Sequence, residues 1–192
     1  MALPYPILCC MSRPPSAALC LRDYLELEEI MEAPLVRKYS PVYAVAGLPL
    51  AQAAESVALE ERNRLGLGDG PVPILRYLLE QDVGVRLFYL SLPSGFSELY
   101  VYDEALGACM AINSQHPEER RRWSAAHGYL HLLVHRYKAE VAVEYGYRRQ
   151  PESERLADAF ARYFLMPTGG LTRRFNDILR TQGKATPAGL CR

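Results

Sequence analysis

His127 and His131 stand four residues apart in the stretch Arg120-Arg-Arg-Trp-Ser-Ala-Ala-His127-Gly-Tyr-Leu-His131-Leu-Leu-Val-His135. On a helix this spacing puts both imidazoles on one face, the arrangement that holds zinc in the pattern H-E-x-x-H. The glutamate of that pattern is the general base of peptide hydrolysis, and here its place is taken by Gly128. Two histidines on an apolar helix edge are, by themselves, more often core side chains than ligands. A third ligand changes that balance, because a catalytic zinc takes three protein groups and keeps one position open. Glu154 can supply it from an acidic segment soon after the histidines. Asp158, four residues later, is either a substitute ligand or an outer partner that fixes a histidine tautomer.

The remaining polar residues nearby have plainer readings. His135 extends the histidine row, but eight helical residues span about 12 Å, too far for two bonds of about 2 Å to one ion. It is expected to be structural or to brace a ligand from outside. His116, just before Pro117, reads as an exposed helix-start residue, and Glu140 and Glu144 lie too far beyond the histidines to replace the base easily. Arg120, Arg121 and Arg122 follow two glutamates at a helix start and read as a solvated charged face rather than a nucleic-acid contact.

The elements that must position these groups have recognisable signals. Pro117 suits a first helical turn and Glu118 and Glu119 complement its dipole, so a helix is expected from there to about Tyr137. Trp123, Leu130 and Val134 form its apolar stripe, with the two histidines along the edge. A second helix, from Pro151 and Glu152 to Met166, carries Glu154 and Asp158, and Ala157 and Ala161 allow close approach. Pro167 and the Gly169-Gly170 pair are expected to end it. Upstream the period drops to two over residues 85–90, 98–102 and 107–113, which predicts three short strands with connections short enough for antiparallel pairing. The last of them is expected beside the histidine helix. Earlier helices are predicted from Leu19 to before Pro34, from Leu50 to Leu65, and from Ile74 to Gln81 with closure near Gly84. Gly66, Gly68 and Gly70 read as a helix stop rather than a phosphate loop, and residues 1–18, with four prolines, as an irregular arm.

Composition excludes several classes. The chain of 192 residues is 49% hydrophobic and 23% charged, and its 22 basic residues balance 22 acidic ones. No field draws it to nucleic acid or to an acidic membrane. Five cysteines, at 9, 10, 20, 109 and 191, form no C-x-x-C pair, so a reducing cytosol is the simplest setting. No signal peptide is read at the N-terminus, and no apolar run reaches the roughly 18 residues of a membrane helix.

Several segments, in order, resemble the ImmA/IrrE metallopeptidases. They are Arg62-Asn-Arg-Leu-Gly-Leu-Gly-Asp-Gly-Pro, Leu78-Leu-Glu-Gln-Asp-Val-Gly-Val, Gly107-Ala-Cys-Met-Ala-Ile-Asn, the histidine stretch, and Glu154-Arg-Leu-Ala-Asp-Ala-Phe-Ala-Arg-Tyr-Phe-Leu-Met-Pro. The resemblance covers roughly residues 50–170 and implies a zincin-like α+β domain. In it a small antiparallel sheet of about three strands packs with an active-site helix and a second ligand helix. Residues 19–49 then read as a helical linker and 171–192 as a C-terminal tail that looks cut short. The resemblance matches His127, His131 and Glu154 to the family's zinc ligands and leaves Asp158 as their outer partner. It implies Zn2+ as cofactor and a helix-turn-helix repressor, often fused or encoded alongside, as protein partner or substrate. The departures are Gly128 at the catalytic glutamate position and Leu130 at a usual glycine. Activity is therefore expected to be weakened or lost. The alternatives are a non-enzymatic metal-binding sensor or interaction domain regulating such a repressor, and a metal-free packing module. A glutamate restored at 128 is expected to raise helix propensity and to leave the fold at least as stable.

Overall fold

In the computed structural model, residues 15–138, 140–143 and 150–186 are described. Helix α1 (Pro15–Ile30) begins with proline in its first turn, where the missing N–H costs no helical bond. It thus starts four residues before the expected Leu19, and residues 1–14 of the expected arm lie outside the described residues. Helix α2 (Leu50–Arg64) ends before the glycine-rich turn, as its composition predicts. The short turn α3 (Leu75–Tyr77) widens into a π-helical turn over Leu78–Val83 and closes at Gly84, whose φ of 89° a side-chain-bearing residue rarely adopts.

The sheet comprises β1 (Arg86–Leu90), β2 (Phe96–Asp103), β3 (Gly107–Asn113) and, beyond the histidine helix, β4 (Glu140–Val143). Its order is β1-β3-β2-β4. The α+β class holds, but the sheet is mixed rather than wholly antiparallel: β3 pairs antiparallel with β2 and parallel with β1. The reason lies in β3 itself. All seven of its residues are buried, and a strand with no solvated face belongs in the middle of a covered sheet. The hairpin partner β2 therefore lies on one side of it and β1 on the other. The fourth strand pairs antiparallel with β2 and was not anticipated.

Each sheet face has its own cover. Ala17 and Leu21 of α1 pack with Leu99, Val101, Cys109 and Ala111 on one face. On the other, Leu87, Tyr100, Met110 and Ile112 join the main core with α4 (Glu118–Val134), α5 (Glu152–Leu165) and α2. The segment expected as a linker is thus integrated with the domain: α1 covers the sheet, Tyr39 Oη donates to Gly84 O, and the Tyr43 amide donates to Leu133 O. The glycine pair does not end the helical structure. After Pro167 a further helix, α6 (Thr168–Gln182), forms where a tail was expected. Gly169 and Gly170 fall in its first turn, and Gly170 lies against the Asp69 backbone, where a Cβ has no space. Residues 187–192 lie outside the described residues. No described helix is long and apolar enough to cross a membrane.

Candidate metal centre

Helix α4 spans Glu118–Val134, and its C-terminal His135 amide bonds to His131 O. Its histidines are 5% and 1% exposed, so both imidazoles lie between the helix, the sheet and α5. The alanines of α5 let that helix approach α4 closely, since Ala157 and Ala161 are fully buried. This approach brings Glu154 Oε2 to 3.2 Å from His127 Nε2, and Glu154 Oε1 to 3.5 Å from His131 Nε2.

The outer nitrogens of the imidazoles are engaged. His127 Nδ1 lies 3.0 Å from Asp158 Oδ1, which also accepts from Trp123 Nε1, while Gln150 Nε2 donates to Oδ2 at 2.9 Å. His131 Nδ1 lies 3.2 Å from His135 Nδ1, so His135 braces the ligand row from behind and takes no place in it. Both Nε2 atoms therefore turn to the same interior point. They are buried, and neither forms an aligned hydrogen bond despite the nearby Glu154 oxygens. Two orphaned imidazole nitrogens beside a carboxylate are the donor set a zinc-type cation accepts, and the residues fit one.

A fourth group, not found from the sequence, completes the cluster. Glu98 of β2 is 2% exposed, and it offers a carboxylate oxygen such that this atom and the ligand atoms of His127 and His131 all lie within 4.8 Å of one another. Its signal was the strand period. Glu98 shares the inward face with Tyr100, where an ionisable residue among apolar neighbours calls for a partner. The β2–β4 register shifts between Phe96 and Glu98, a bulge of the kind that re-aims side chains beside functional sites. Gly128 makes the space. A Cβ at that position would stand 2.9 Å from Glu98 Oε1 and 3.2 Å from Met110 Sδ. A glutamate at 128 thus meets the tip of the Glu98 side chain with its first side-chain atom, and fits only where Glu98 shifts.

The electrostatics of the cation-free cluster follow from crowding. Burial first, then the Glu154 charge, push the Glu98 carboxyl up to about 8 against the pull of His127. Burial alone would lower His127, but Glu98, Asp158 and Glu154 outweigh it and raise that imidazole to about 10. His131 falls to about 2, through burial and then the neighbouring His127 and His135. Partial burial would raise Asp158, yet bonds from His127, Gln150 and Trp123 outweigh it and hold the carboxyl below the usual carboxylate range. A cluster with this surplus of acceptors has the charge a divalent cation balances.

The arginines of the helix start act locally. Arg120 donates to Ser97 Oγ at 3.1 Å, Arg121 lies over the Tyr89 ring, and Arg122 donates to the carbonyls of Val72 and Pro73.

Residues 80–187 match the family model described as the IrrE N-terminal-like domain, Peptidase M78. The chain belongs to this M78 family. The match spans the strands, both ligand-bearing helices and α6, beginning at residue 80 and running beyond residue 170. No curated protein matches the chain. Within this M78 domain Glu98, His127 and His131 form a potential histidine and glutamate metal site, and the Glu154 carboxylate lies against both imidazoles.

Proposed function

We propose that this M78 domain holds zinc through His127, His131 and Glu154 and acts on a helix-turn-helix repressor, with peptide hydrolysis weakened or lost because Gly128 supplies no base. The observation that supports the metal assignment is the convergence of two buried, unbonded Nε2 atoms on Glu154. A bound zinc ion supplies Lewis acidity toward a peptide carbonyl and lowers the pKa of a coordinated water. The chain's own residues do the rest. Asp158 keeps the His127 ring oriented with Nε2 inward, and His135 does the same for His131. What position 128 lacks is a side chain to carry a proton to the leaving amine, and such help is worth about 10²–10⁴-fold.

A second reading, a metal-binding sensor that regulates the repressor without cutting it, is favoured by the same glycine. Metal analysis and cleavage assays separate the readings. The purified protein is expected to carry zinc that His131→Ala removes, and to cleave a cognate repressor very slowly or not at all. Zinc content unaffected by His131→Ala would sink the metal site. Rapid cleavage would sink the loss of activity.

A further inference from the structure

Glycine inside a helix costs about 1 kcal/mol relative to alanine, and α4 carries one between its two inward histidines. The surroundings of Gly128 explain it. Its missing Cβ leaves the volume in which the Glu98 carboxylate sits, between the helix backbone and Met110. Glu98 arrives from the opposite wall, on a strand whose register is broken by a bulge immediately before it. Its Oε2 is buried and has no hydrogen-bond partner, as do Nε2 of His127 and Nε2 of His131. Three orphaned atoms on three clustered side chains, from two different elements, point to one partner that accepts lone pairs from all of them.

We propose that Glu98 is a metal ligand, making with His127, His131 and Glu154 a set of two imidazoles and two carboxylates that closes around one divalent cation. The inference rests on the zinc reading above and goes beyond it by adding a ligand from the sheet. Four protein groups fill a tetrahedral zinc site and leave no open position, which is the arrangement of structural rather than catalytic zinc. Two carboxylates also neutralise the ion's charge in a buried place. Gly128 then has a role of its own: it admits the fourth ligand, and any larger residue there displaces it.

Zinc affinity, measured by competition with a chromophoric chelator on the full chain, tests this. Glu98→Gln keeps the shape and removes the charge. It is expected to weaken zinc binding by about 100-fold or more, beyond the roughly 10–100-fold typical of residues that only orient ligands. The metal-free variant is expected to melt no lower than the parent, because the charge that crowds Glu154 in a buried place is removed. Gly128→Ala replaces none of the four ligands but pushes the Glu98 carboxylate aside, and is expected to weaken zinc binding as well. Unchanged affinity in both variants, with zinc abolished by His131→Ala, would overturn the role of Glu98 and leave the three-ligand site standing. Unchanged affinity in all three would overturn both. A Glu98→Gln chain that binds zinc normally and loses only hydrolysis would make Glu98 a base and overturn its assignment as ligand.

Discussion

Asp158 Oδ1 lies 3.0 Å from His127 Nδ1, and this one contact decides which nitrogen of His127 faces the interior. With Nδ1 engaged from outside, Nε2 is the free donor. Asp158→Ala is expected to lower zinc affinity by about 10–100-fold without abolishing binding, as loss of an outer partner does. Asp158→Asn, which retains an accepting oxygen, should lie between that variant and the parent. Chelator competition on the three proteins gives the order, and equal affinities would mean that Asp158 does not orient the ring.

Gly128→Glu recreates the H-E-x-x-H pattern in sequence, at a position that the Glu98 side chain already crowds. The helix gains propensity, by less than the roughly 1 kcal/mol that separates glycine from alanine, while the new Cβ meets the Glu98 carboxylate and Met110. Overpacking of this kind typically costs about 1–3 kcal/mol, and two carboxylates must also share a buried site. The single variant is expected to be less stable than the parent in urea unfolding. Combining it with Glu98→Ala vacates the space, so the double variant should recover stability and is the one expected to gain repressor cleavage. A single variant that is both stable and active would show that Glu98 moves aside freely.

These two cases show what the sequence made legible. The histidine pair, Glu154 and Asp158 were all readable, because helical spacing of three or four residues fixes which side chains share a face. Glu98 was not, since its nearness to α4 depends on which strand lies beside that helix, a matter of sheet order. Sheet order in turn depended on β3, whose run Gly107-Ala-Cys-Met-Ala-Ile-Asn113 is buried on both faces and hence central. The short loops on either side of β2 argued for antiparallel neighbours throughout and gave no sign that β3 would insert between β1 and β2. Helix α6 was missed for a local reason. Its glycines lie in the first turn, where breakers are tolerated, and the glycine pair was read as a stop.

Arg62 is a case where a charged residue does the work of a core. It is 1% exposed, and its guanidinium donates to three carbonyls: Gly68, Gly70 and, across the helix interface, Phe164. The glycine-rich turn and the end of α5 are thereby fixed to α2. Hydrogen bonds to charged groups contribute about 1.5–3 kcal/mol each, and a fork of donors is not reproduced by a single ammonium. Arg62→Lys is therefore expected to destabilise by roughly 2 kcal/mol or more, and Arg62→Ala by more still, as read from denaturant midpoints. Retention of parental stability by Arg62→Lys would show that the three carbonyls find water instead.

Glu61 gives the fold a defined acid response away from the metal centre. Its side chain is fully buried and takes hydrogen bonds from Arg64, at 2.8 Å, and from the hydroxyls of Tyr129 and Tyr43. Burial alone would raise its pKa, but these donors outweigh burial and lower it from 4.5. A carboxyl whose folded pKa lies below its unfolded one binds fewer protons when folded. Its stabilisation is thus complete above the unfolded value and is lost as pH falls through the folded one. Glu61→Gln keeps the shape while removing the charge. At neutral pH it is expected to cost roughly 1.5–3 kcal/mol, the worth of a hydrogen bond to a charged group. As pH drops below about 4 the parent loses this advantage and the two stabilities should converge. Urea unfolding of both proteins across that range checks the sign. A gap that stays constant, or widens toward acid, would mean that Glu61 is not ionised in the folded protein and that the tyrosines bond a neutral acid.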